Sequence, residues 1–427
     1  MVGLCRRKRF QSKKVNVLLI HQGDYGWGGG QTQLNRLQSG LIKAGVEAKI
    51  LCKTATRKNS VAIPRWQRLE SYLGRITQRL GLNDIHCLSS FTIPKSETYQ
   101  NADVLDFHCI HSGFFSYLAL PRLTEGKPAV FTLHDMWPFT GHCHNSLDCE
   151  RWKIGCGRCP YPEVAPAVRR DATHWEWKLK NWVYQHSKFT IVVPSRWLMK
   201  QAEQSILDRF PIHHIPHGID TEVYKPLNRN ECCSVLGIPP GKKVLLFVVD
   251  DFERRLKGGD LLQEALQSLP GFLKTQTVLL LLGKNSEALA QTVGIQTLNL
   301  GYVGGDRLKI ICFSAADLFI LPTRADNFPL TLLESLACGT PIVSFGVGGV
   351  PDVVRPGITG YLAEPENVED LRNGIVQLLE DHRLRERMSE NCRAIALKEY
   401  RLELQVERYM NLYSQLVKNG ARKAKVA

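Results

Sequence analysis

The chain has 427 residues, of which 44% are hydrophobic and 22% charged, with 55 Lys and Arg residues against 41 Asp and Glu residues. This length suits two domains with ordinary cores, and the hydrophobic content excludes a disordered chain. The apolar runs are shorter than the ~20 residues that a membrane-spanning helix needs. The amino-terminal segment lacks the apolar core and cleavage site of a signal peptide, so we expect a cytoplasmic protein.

The positive charge is confined to one half of the chain. Residues 1–200 hold 29 basic and 14 acidic residues, a net charge of +15, whereas residues 201–427 hold 26 and 27, a net charge of −1. All 8 Trp residues also lie in the first half. This division predicts two domains with different partners. A basic, Trp-rich surface suits nucleic acid or an anionic membrane, and the alternative is a charge that only confers solubility.

Short apolar runs alternate with helical patterns, which is typical of parallel α/β sheets. The predicted strands form two series, at 15–20, 47–52, 103–108, 129–134 and 189–194, and at 243–249, 277–283, 316–322, 341–345 and 360–365. Between them, the Pro- and Gly-containing segment 209–227 is interpreted as a linker. Helices are predicted at 368–379 and 382–417. The resulting units are a basic arm at 1–14, a Rossmann-like domain at 15–212, a second at 213–395, and a terminal segment with a basic tail at 396–427.

Two doubly wound domains that face one another enclose a cleft at the carboxyl ends of their strands, where such sheets bind ligands. The first strand is followed by a glycine-rich turn that leads into a helix, with Gly26, Gly28, Gly29 and Gly30. Glycines allow a phosphate or sugar to approach the backbone, and the free N–H groups of a helix start favour an anion. A tight strand-to-helix turn without a ligand is the alternative.

A second candidate site follows the predicted strand at 316–322. Asp326 lies in a short loop, and Glu334 lies eight residues later on a helix that ends near Cys338 and Gly339. If that helix begins just after Asp326, both carboxylates face one ligand. Carboxylates pair well with vicinal hydroxyl groups. The neighbours of Glu334 are almost wholly apolar, so an unpaired, purely structural Glu would be costly there.

This segment and several others resemble the retaining glycosyltransferases of family 4, which have the GT-B fold. In that family an acidic residue is followed by seven residues and a Glu, and a Gly-Gly pair comes next. Asp326, Glu334 and the pair Gly348-Gly349 match this pattern, although Asp352 stands where Glu is usual. Further matches are IPHGID at 215–220, RRLKGGDLLQEAL at 254–266, GYV at 301–303 and PGITGYL at 356–362.

The resemblance implies a two-domain α/β fold with a terminal helix that crosses back to an acceptor-binding N-terminal domain. It implies that Glu334 binds the ribose of a nucleotide-sugar, with Asp326, Asn327 and Phe328 near the donor hexose and Lys257 at the diphosphate. Phe252 occupies the place of the family's phosphate-binding Arg, and Arg254 or Arg255 is expected to substitute. Lys and Arg in a closed cleft stabilise the departing nucleoside diphosphate.

His134 ends the fourth predicted strand in FTLHDMWPFTGHC, and the resemblance places it beside the donor sugar. A neutral His suits a hydrogen bond to a sugar hydroxyl, while a His satisfied in the core is the alternative. Gly29 and Gly30 would lie against the donor phosphate. We expect transfer of a hexose from a UDP- or GDP-sugar, with retention, to a glycan or polyprenyl-linked acceptor in exopolysaccharide synthesis. Same-face attack is favoured over double displacement, and His134, Asp326 and Lys257 are the expected catalytic residues without a catalytic metal.

Four of the 13 Cys residues lie close together, at Cys143, Cys149, Cys156 and Cys159. In a reducing compartment this spacing predicts a structural zinc site, with free thiols and disulfides as alternatives and His142 and His144 as alternative ligands. The insertion that carries them resembles a subset of family 4 associated with exopolysaccharide or colanic-acid-type synthesis.

A basic and aromatic helix is predicted within residues 169–188, from Trp175, Trp177, Lys178, Lys180, Trp182 and Tyr184. It could lie at an anionic membrane surface together with the basic arm of Arg6, Arg7, Lys8, Arg9, Lys13 and Lys14, or its Trp residues could pack on the sheet. A nucleotide-sugar epimerase or phosphorylase of the same fold is an alternative function. A zinc-containing nucleic-acid-binding protein is a remote one, and we expect no nucleic-acid partner.

Overall fold

A computed structural model describes residues 15–25 and 28–426 of the chain, with side chains up to residue 420. The predicted basic arm, Gly26 and the side chains of the basic tail beyond residue 420 lie outside the described residues. Within them, no helix has both the length and the apolar character that crossing a bilayer requires. The chain forms two parallel sheets, one of seven strands and one of six.

The first sheet has the strand order β3-β2-β1-β4-β5-β6-β7. Its strands are β1 Asn16–Ile20, β2 Glu47–Cys52, β3 Ser60–Ala62, β4 Val104–His108, β5 Ala129–Thr132, β6 Thr190–Val193 and β7 Ile212–His214. Its helices are α1 Gly29–Lys43, α2 Gln67–Arg79, α3 Glu97–Asn101, α4 Leu120–Glu125, α5 Thr173–Gln185 and α6 Arg196–Glu203.

The second sheet has the order β10-β9-β8-β11-β12-β13. Its strands are β8 Lys243–Asp251, β9 Thr277–Lys284, β10 Gln296–Asn299, β11 Leu318–Leu321, β12 Ile342–Phe345 and β13 Gly360–Ala363. The helices of this half are α7 Arg229–Val235, α8 Gly259–Gln267, α9 Gly271–Gln276, α10 Glu287–Thr292, α11 Asp306–Ala315, α12 Leu330–Cys338, α13 Val350–Val353, α14 Val368–Glu380 and α15 His382–Glu399. The last helix is α16 Leu402–Val426.

Both sheets are covered on both faces, because alternate residues of each strand enter different cores. In β1, Leu18 and Ile20 join one core, whereas Val17 and Leu19 join the core on the other face. The same alternation divides β8 between two cores of the second half. The continuous apolar runs in the sequence reflect this double burial, and the predicted two-domain α/β fold is confirmed.

Three short strands escaped prediction: β3, β7 and β10. The strand β7 pairs in parallel with β6 and lies inside the segment interpreted as a linker. Only three residues of β7 pair, and the His and Pro residues in and around it hide the apolar pattern by which a strand is predicted. The first sheet therefore continues through His214, two residues beyond the predicted domain boundary at 212.

The helix predicted at 382–417 is two helices that break around Tyr400 and Arg401. The first, α15, packs on α12 of the second half. The second, α16, crosses back and packs on α1, where Val406, Tyr409 and Leu412 enter the core beneath the first sheet. The expected crossover helix is thus confirmed.

The crossing point is fixed by backbone hydrogen bonds. The N–H of Ile219 donates to the carbonyl of Tyr400 at 2.8 Å, and the N–H of Leu402 donates to the carbonyl of Ile219 at 2.9 Å. Gln405 adds a side-chain bond, because its Oε1 accepts from the N–H of Gly218 at 2.9 Å. The two passages of the chain between the domains are therefore joined to each other.

Candidate active site

The strand order of each sheet reverses once, between β1 and β4 in the first sheet and between β8 and β11 in the second. Ligands of such sheets bind in the crevice at this reversal, beyond the carboxyl ends of the strands. The loop after β8 carries Lys257 and the loop after β11 carries Asp326. The topology therefore brings together two predicted site residues that are far apart in the sequence.

Lys257 and Asp326 form a direct ion pair in this crevice. The Nζ atom of Lys257 lies 2.8 Å from Oδ2 of Asp326, and both side chains are largely shielded from solvent. Burial disfavours the charge on Lys257, but the Asp326 carboxylate outweighs it and raises the pKa of the lysine. A cation and an anion thus stand together where a sugar and its phosphate could be bound.

Glu334 lies on α12, is only 2% exposed and reaches the other domain. Its Oε1 atom accepts a hydrogen bond from Nη2 of Arg36 on α1 at 2.7 Å. Burial opposes the charge of Arg36, and the Glu334 carboxylate overcomes it and raises the pKa of the guanidinium. Among the described residues, Oε2 of Glu334 and Nη1 of Arg36 are buried without a hydrogen-bond partner. The pair therefore keeps one acceptor and one donor for a ligand.

Sequence reasoning missed Arg36 and the residues around it. The ring of Tyr224 lies 5.4 Å from the Arg36 guanidinium, and its hydroxyl donates to Asp306 at 2.7 Å. Lys309 places Nζ 4.0 Å from Oε2 of Glu334. Arg36 lies two turns after the glycine turn on the same helix, and this position was the signal from which its place in the site could have been predicted. A lone Arg on a helix is usually read as a solvated charge.

Arg254 and Arg255 are both exposed. Arg254 donates to Asp250 at 2.7 Å, and its charge acts on Lys257, tending to lower the pKa of that lysine. The carbonyl of Arg255 instead accepts from Arg324 at 2.8 Å. Of the two arginines, Arg254 is therefore the one whose charge acts on Lys257.

His134 follows β5 and is enclosed by other imidazoles. Its Nε2 lies 2.9 Å from Nδ1 of His108, and its ring stacks on that of His217 with centroids 5.5 Å apart. Burial, followed by the neighbouring histidines, lowers the pKa of His134 well below its usual value. Burial likewise lowers the pKa of His217 and of His21 to about 3. These rings are neutral at physiological pH, as a hydrogen-bonding role for His134 requires.

The two domains meet directly at this histidine. Nδ2 of Asn327 donates to the carbonyl of His134 at 2.8 Å. Phe328, the next residue, is only 6% exposed, and its ring packs edge-on against His217, with centroids 5.4 Å apart. Its side chain thus supports the histidine cluster, and its predicted place near the donor stays a prediction. The N–H of Gly349 donates to the carbonyl of Asp326 at 3.0 Å, which holds the acidic loop in place.

The predicted glycine turn begins α1 beside His134. A Cβ atom at Gly30 would lie 3.1 Å from Sγ of Cys109 and 3.8 Å from the His134 ring. A Cβ atom at Gly29 would meet only Leu330 of the other domain, at 4.0 Å. Gly30 therefore permits a close approach between the helix start and the histidine, whereas Gly29 lies in the more open part of the cleft.

Beneath this turn lies a compact group that sequence reasoning did not identify. The ligand atoms of Cys109, His111 and Asp135 lie within 4.8 Å of one another. Burial opposes protonation of His111, but Asp135 prevails and raises the pKa of the imidazole to about 10. His111 and Asp135 are therefore an ion pair, with Nε2 and Oδ2 3.2 Å apart.

A cavity of about 280 Å³ opens at the carboxyl ends of β1, β2 and β4. Polar and aromatic side chains line it: Gln22, Tyr25, Gln31, Lys53, Ser112 and Phe114. Its volume is close to the lower end of the ~300–1,000 Å³ of small-molecule sites. This cavity lies in the basic half of the chain.

The four cysteines predicted to bind zinc, Cys143, Cys149, Cys156 and Cys159, are brought together around a smaller cavity. All are free thiols in the structure. On the neighbouring helix α5, Lys180 and Tyr184 are fully buried, which corrects their assignment to an exposed basic and aromatic face. Trp175 and Trp182 are exposed, as that assignment requires.

Two family models match the chain and together span both domains. The model of "Glycosyltransferase Family 4" matches residues 27–223, and the model of "Glycosyl transferases group 1" matches residues 229–395.

Curated relatives of the chain are bacterial glycosyltransferases. A D-inositol 3-phosphate glycosyltransferase of Mycolicibacterium paratuberculosis is 30% identical over 86% of this chain and 82% of its own length. The putative colanic acid biosynthesis glycosyl transferase WcaC of Escherichia coli is 26% identical over 73% of this chain and 76% of its own. The N-acetyl-alpha-D-glucosaminyl L-malate synthase of Bacillus anthracis is 25% identical over 54% of this chain, which spans 61% of that relative. For another inositol phosphate relative, from Mycolicibacterium smegmatis, the matched share is 41%.

Solved structures share the fold at low identity. Sucrose-phosphate synthase of Thermosynechococcus elongatus has a TM-score of 0.70 and 17% identity, with 95% of this chain and 100% of that chain covered. Anabaena HepE in complex with UDP and glucose has a TM-score of 0.68 and 15% identity, with 94% and 100% covered. These similarities identify the two-domain architecture as GT-B.

Proposed function

Because the chain belongs to the group 1 and family 4 glycosyltransferases, we propose that it transfers a hexose from a UDP- or GDP-sugar to an acceptor hydroxyl with retention. The acceptor is a glycan or a lipid-linked sugar in the synthesis of an exopolysaccharide. The Lys257–Asp326 ion pair at the strand reversal of the second sheet carries the proposal. It offers a cation to a phosphate and a carboxylate to sugar hydroxyls at one place. The HepE structure, which holds UDP and glucose, supports a UDP-sugar as the donor.

In the proposed reaction the bond between the anomeric carbon and the diphosphate oxygen breaks as the acceptor oxygen attacks from the same face. Lys257, with Arg254 beside it, stabilises the negative charge that develops on the departing diphosphate. Asp326 exchanges part of its contact with Lys257 for donor hydroxyls. The acceptor loses its proton to the leaving phosphate oxygen, so no protein carboxylate need form a covalent intermediate. Because cationic side chains provide the charge, we expect chelation by EDTA to leave the rate unchanged.

Glu334 binds the ribose of the donor through Oε2, while Arg36 holds Oε1. One oxygen of a buried carboxylate is thereby fixed by the opposite domain, and the other faces a ligand hydroxyl. The neutral His134 ring contributes a hydrogen bond to the transferred sugar. The cavity around Lys53 and Gln31 receives the acceptor, and its position in the basic half suits an acceptor that carries phosphate.

The test is a product analysis with a panel of UDP- and GDP-sugars. We expect one donor to raise the melting temperature, and the anomeric carbon of its product to retain the donor configuration when the proton coupling constant is measured by NMR. Inversion of configuration would refute the retaining mechanism. Failure of every donor to bind would refute the transferase. Formation of a free, epimerised sugar nucleotide would identify the epimerase alternative. Release of the sugar that depends on inorganic phosphate would identify the phosphorylase alternative.

An anionic membrane surface is the second partner that we propose, and α2 supports it together with α5. Exposed apolar side chains recur along one side of α2: Trp66, Leu69, Tyr72, Ile76 and Leu80. Arg68, Arg75 and Arg79 are interspersed among them. Asn83, just after α2, donates its N–H to Glu176 of α5, so the exposed Trp175 and Trp182 belong to the adjoining helix. Apolar side chains flanked by Arg suit the interface of an anionic bilayer.

Cosedimentation with vesicles tests this surface. The protein should bind vesicles that contain phosphatidylglycerol more strongly than pure phosphatidylcholine vesicles, and Trp66→Ala with Tyr72→Ala should reduce binding about tenfold or more. Phe272→Ala, which removes an exposed aromatic ring from α9 of the other domain, is the matched control. Equal binding by both variants would contradict the assignment to α2.

A further inference from the structure

The connection between β5 and α5 is long and almost without regular structure. Between residues 140 and 172 the only described element is a 3₁₀ turn at Arg151–Lys153. Leu147, Cys156 and Arg158 adopt positive φ angles of 52°, 53° and 48°. Loops of this length in compact domains usually have a functional or structural reason. Since its cysteines are free thiols, a disulfide does not hold this segment in the structure.

One cavity brings together all four cysteines of this connection. Cys143, Cys149, Cys156 and Cys159 line a space of about 20 Å³, together with His142. Such a volume is sufficient for about one water-sized body. Four sulfurs around one small space suit a tetrahedral ion, because zinc in structural sites takes four ligands with Zn–S distances of about 2.3 Å.

A backbone hydrogen-bond donor points at one of these sulfurs. The N–H of Gly141 donates to Sγ of Cys156 at 3.2 Å. Backbone donors to sulfur stabilise the thiolate, which is the form that binds metal, and they orient it as second-sphere partners do.

His142 supplies a fifth donor atom at the cavity wall. Its Nδ1 lies 2.8 Å from the carbonyl of Pro166, so Nδ1 carries the proton because a carbonyl only accepts. Its Nε2 therefore accepts from the thiol of Cys159, with Sγ 3.2 Å away. His142 thus holds the last cysteine of the motif in place while that cysteine is still protonated.

Positive charge is available beside the cavity. A zinc ion with four thiolates has a net charge of −2. Lys180 is fully buried, and its Nζ donates to the carbonyls of Trp137 at 2.8 Å and Thr140 at 3.0 Å. Thr140 directly precedes Gly141, which lines the cavity together with Arg151. These two cations oppose the charge of a tetrathiolate centre.

We propose that the β5–α5 connection folds around a structural zinc ion held by the thiolates of Cys143, Cys149, Cys156 and Cys159. Binding displaces the thiol protons to solvent and leaves no open ligand position. Among the described residues, Cys109, His111 and Asp135 form the one group whose ligand atoms all lie within 4.8 Å of one another. The four sulfurs are therefore spaced more widely than that, and zinc binding draws them together. The proposal does not depend on the transferase function.

The experiment measures metal in the full-length protein after growth in zinc-supplemented medium. Mass spectrometry of metals should find about one zinc per chain, and a mercurial reagent should release it. Cys159→Ser should lower the zinc content at least fivefold, whereas Cys232→Ser, a buried thiol of the other domain, should leave it unchanged. His142→Ala should retain zinc. Cobalt substitution should give the visible bands of a tetrahedral four-sulfur site.

Several results would overturn the proposal. Folded wild-type protein without zinc would do so, as would disulfides among the four cysteines in non-reducing peptide mapping under reducing purification. Zinc that survives Cys159→Ser but is lost in His111→Ala would place the ion in the Cys109 group instead. If Cys159→Ser does not fold, the cobalt spectrum of the wild type decides, because a spectrum without thiolate charge-transfer bands contradicts the proposed ligands.

Discussion

At the carboxyl ends of the second sheet the site residues are ionised and paired, as in Lys257 with Asp326. At the carboxyl ends of the first sheet the corresponding residues are buried imidazoles, His21, His134 and His217, whose pKa values are lowered. Apart from the His111–Asp135 ion pair beneath the glycine turn, the two sides of one cleft therefore treat charge in opposite ways. One side is prepared to exchange an internal ion pair for a charged ligand, and the other offers neutral hydrogen-bonding groups that do not compete for it.

The largest expected effect is that of acid, which should destabilise the fold through the buried imidazoles of the neutral side. Between pH 6.5 and about 3 the unfolded chain protonates His21 and His217 while the folded chain does not, so stability falls as the pH falls. From pH 7 to pH 5 each of these two rings lowers the free energy of unfolding by about 2 kcal/mol, or about 4 kcal/mol together, and the lowered pKa of His134 acts in the same direction. Urea unfolding at the two pH values measures this loss. His217→Gln should reduce the pH dependence, and the exposed His186→Gln should not.

Removal of the Lys257 cation should disrupt donor binding and catalysis on the charged side. Lys257→Ala leaves Asp326 without its partner and takes a positive charge from the proposed diphosphate site, so kcat/KM should fall about 10²- to 10³-fold, or about 3 to 4 kcal/mol. Steady-state kinetics with the identified donor measures the change. Lys398→Ala, an exposed cation on α15, should retain wild-type activity. A loss of less than threefold would remove Lys257 from the proposed mechanism.

Neutralising Glu334 tests the pair that joins the two sides. Glu334→Gln keeps the shape but leaves Arg36 buried without its counter-charge, and donor binding should weaken by about 2 kcal/mol. Calorimetric titration with the nucleoside diphosphate measures the affinity. Arg36→Gln alone should weaken binding less, because Oε2 of Glu334 still accepts from the ribose. Unchanged affinity of Glu334→Gln would disprove ribose binding.

The smallest effect concerns the neutral side and its close approach to α1. Gly30→Ala puts a Cβ atom 3.1 Å from Sγ of Cys109, which must shift toward the histidine cluster. We expect a loss of about 1 kcal/mol in kcat/KM, or roughly fivefold. Gly29→Ala, whose new Cβ atom would meet only Leu330 at 4.0 Å, is the matched control and should lose less than twofold. Equal losses in both would attribute the effect to the helix start alone.

The charged side was largely predictable from sequence. The positions of Lys257 and Asp326 follow from strands that are buried on both faces and therefore stand out as apolar runs. Once these strands lie in one parallel sheet, the loops after them meet at one edge. Asp326 and Glu334 were thus identified by their spacing after a predicted strand, whereas Lys257 was assigned through the resemblance to family 4.

The neutral side was predictable only at His134. His21, His108 and His217 come from three distant segments, and their proximity depends on tertiary packing that no periodicity reveals. Arg36 was missed for the same reason, since its partner Glu334 lies on the other domain. Lys180 shows the limit most clearly, because a lysine between Trp residues predicts an exposed face, yet its ammonium group is buried against two backbone carbonyls.

The joined crossings at Ile219 and Leu402 have a mechanical consequence. The described chain passes between the domains twice, and the two passages are hydrogen-bonded to each other, so a rotation of one domain against the other would bend both passages along one line. Rotation about that line would separate Asn327 from the carbonyl of His134 and Glu334 from Arg36. Tyr413 would remain bonded to Asp106, since the final helix travels with the first domain. Release of product and rupture of the interdomain bonds would then be one rigid-body movement.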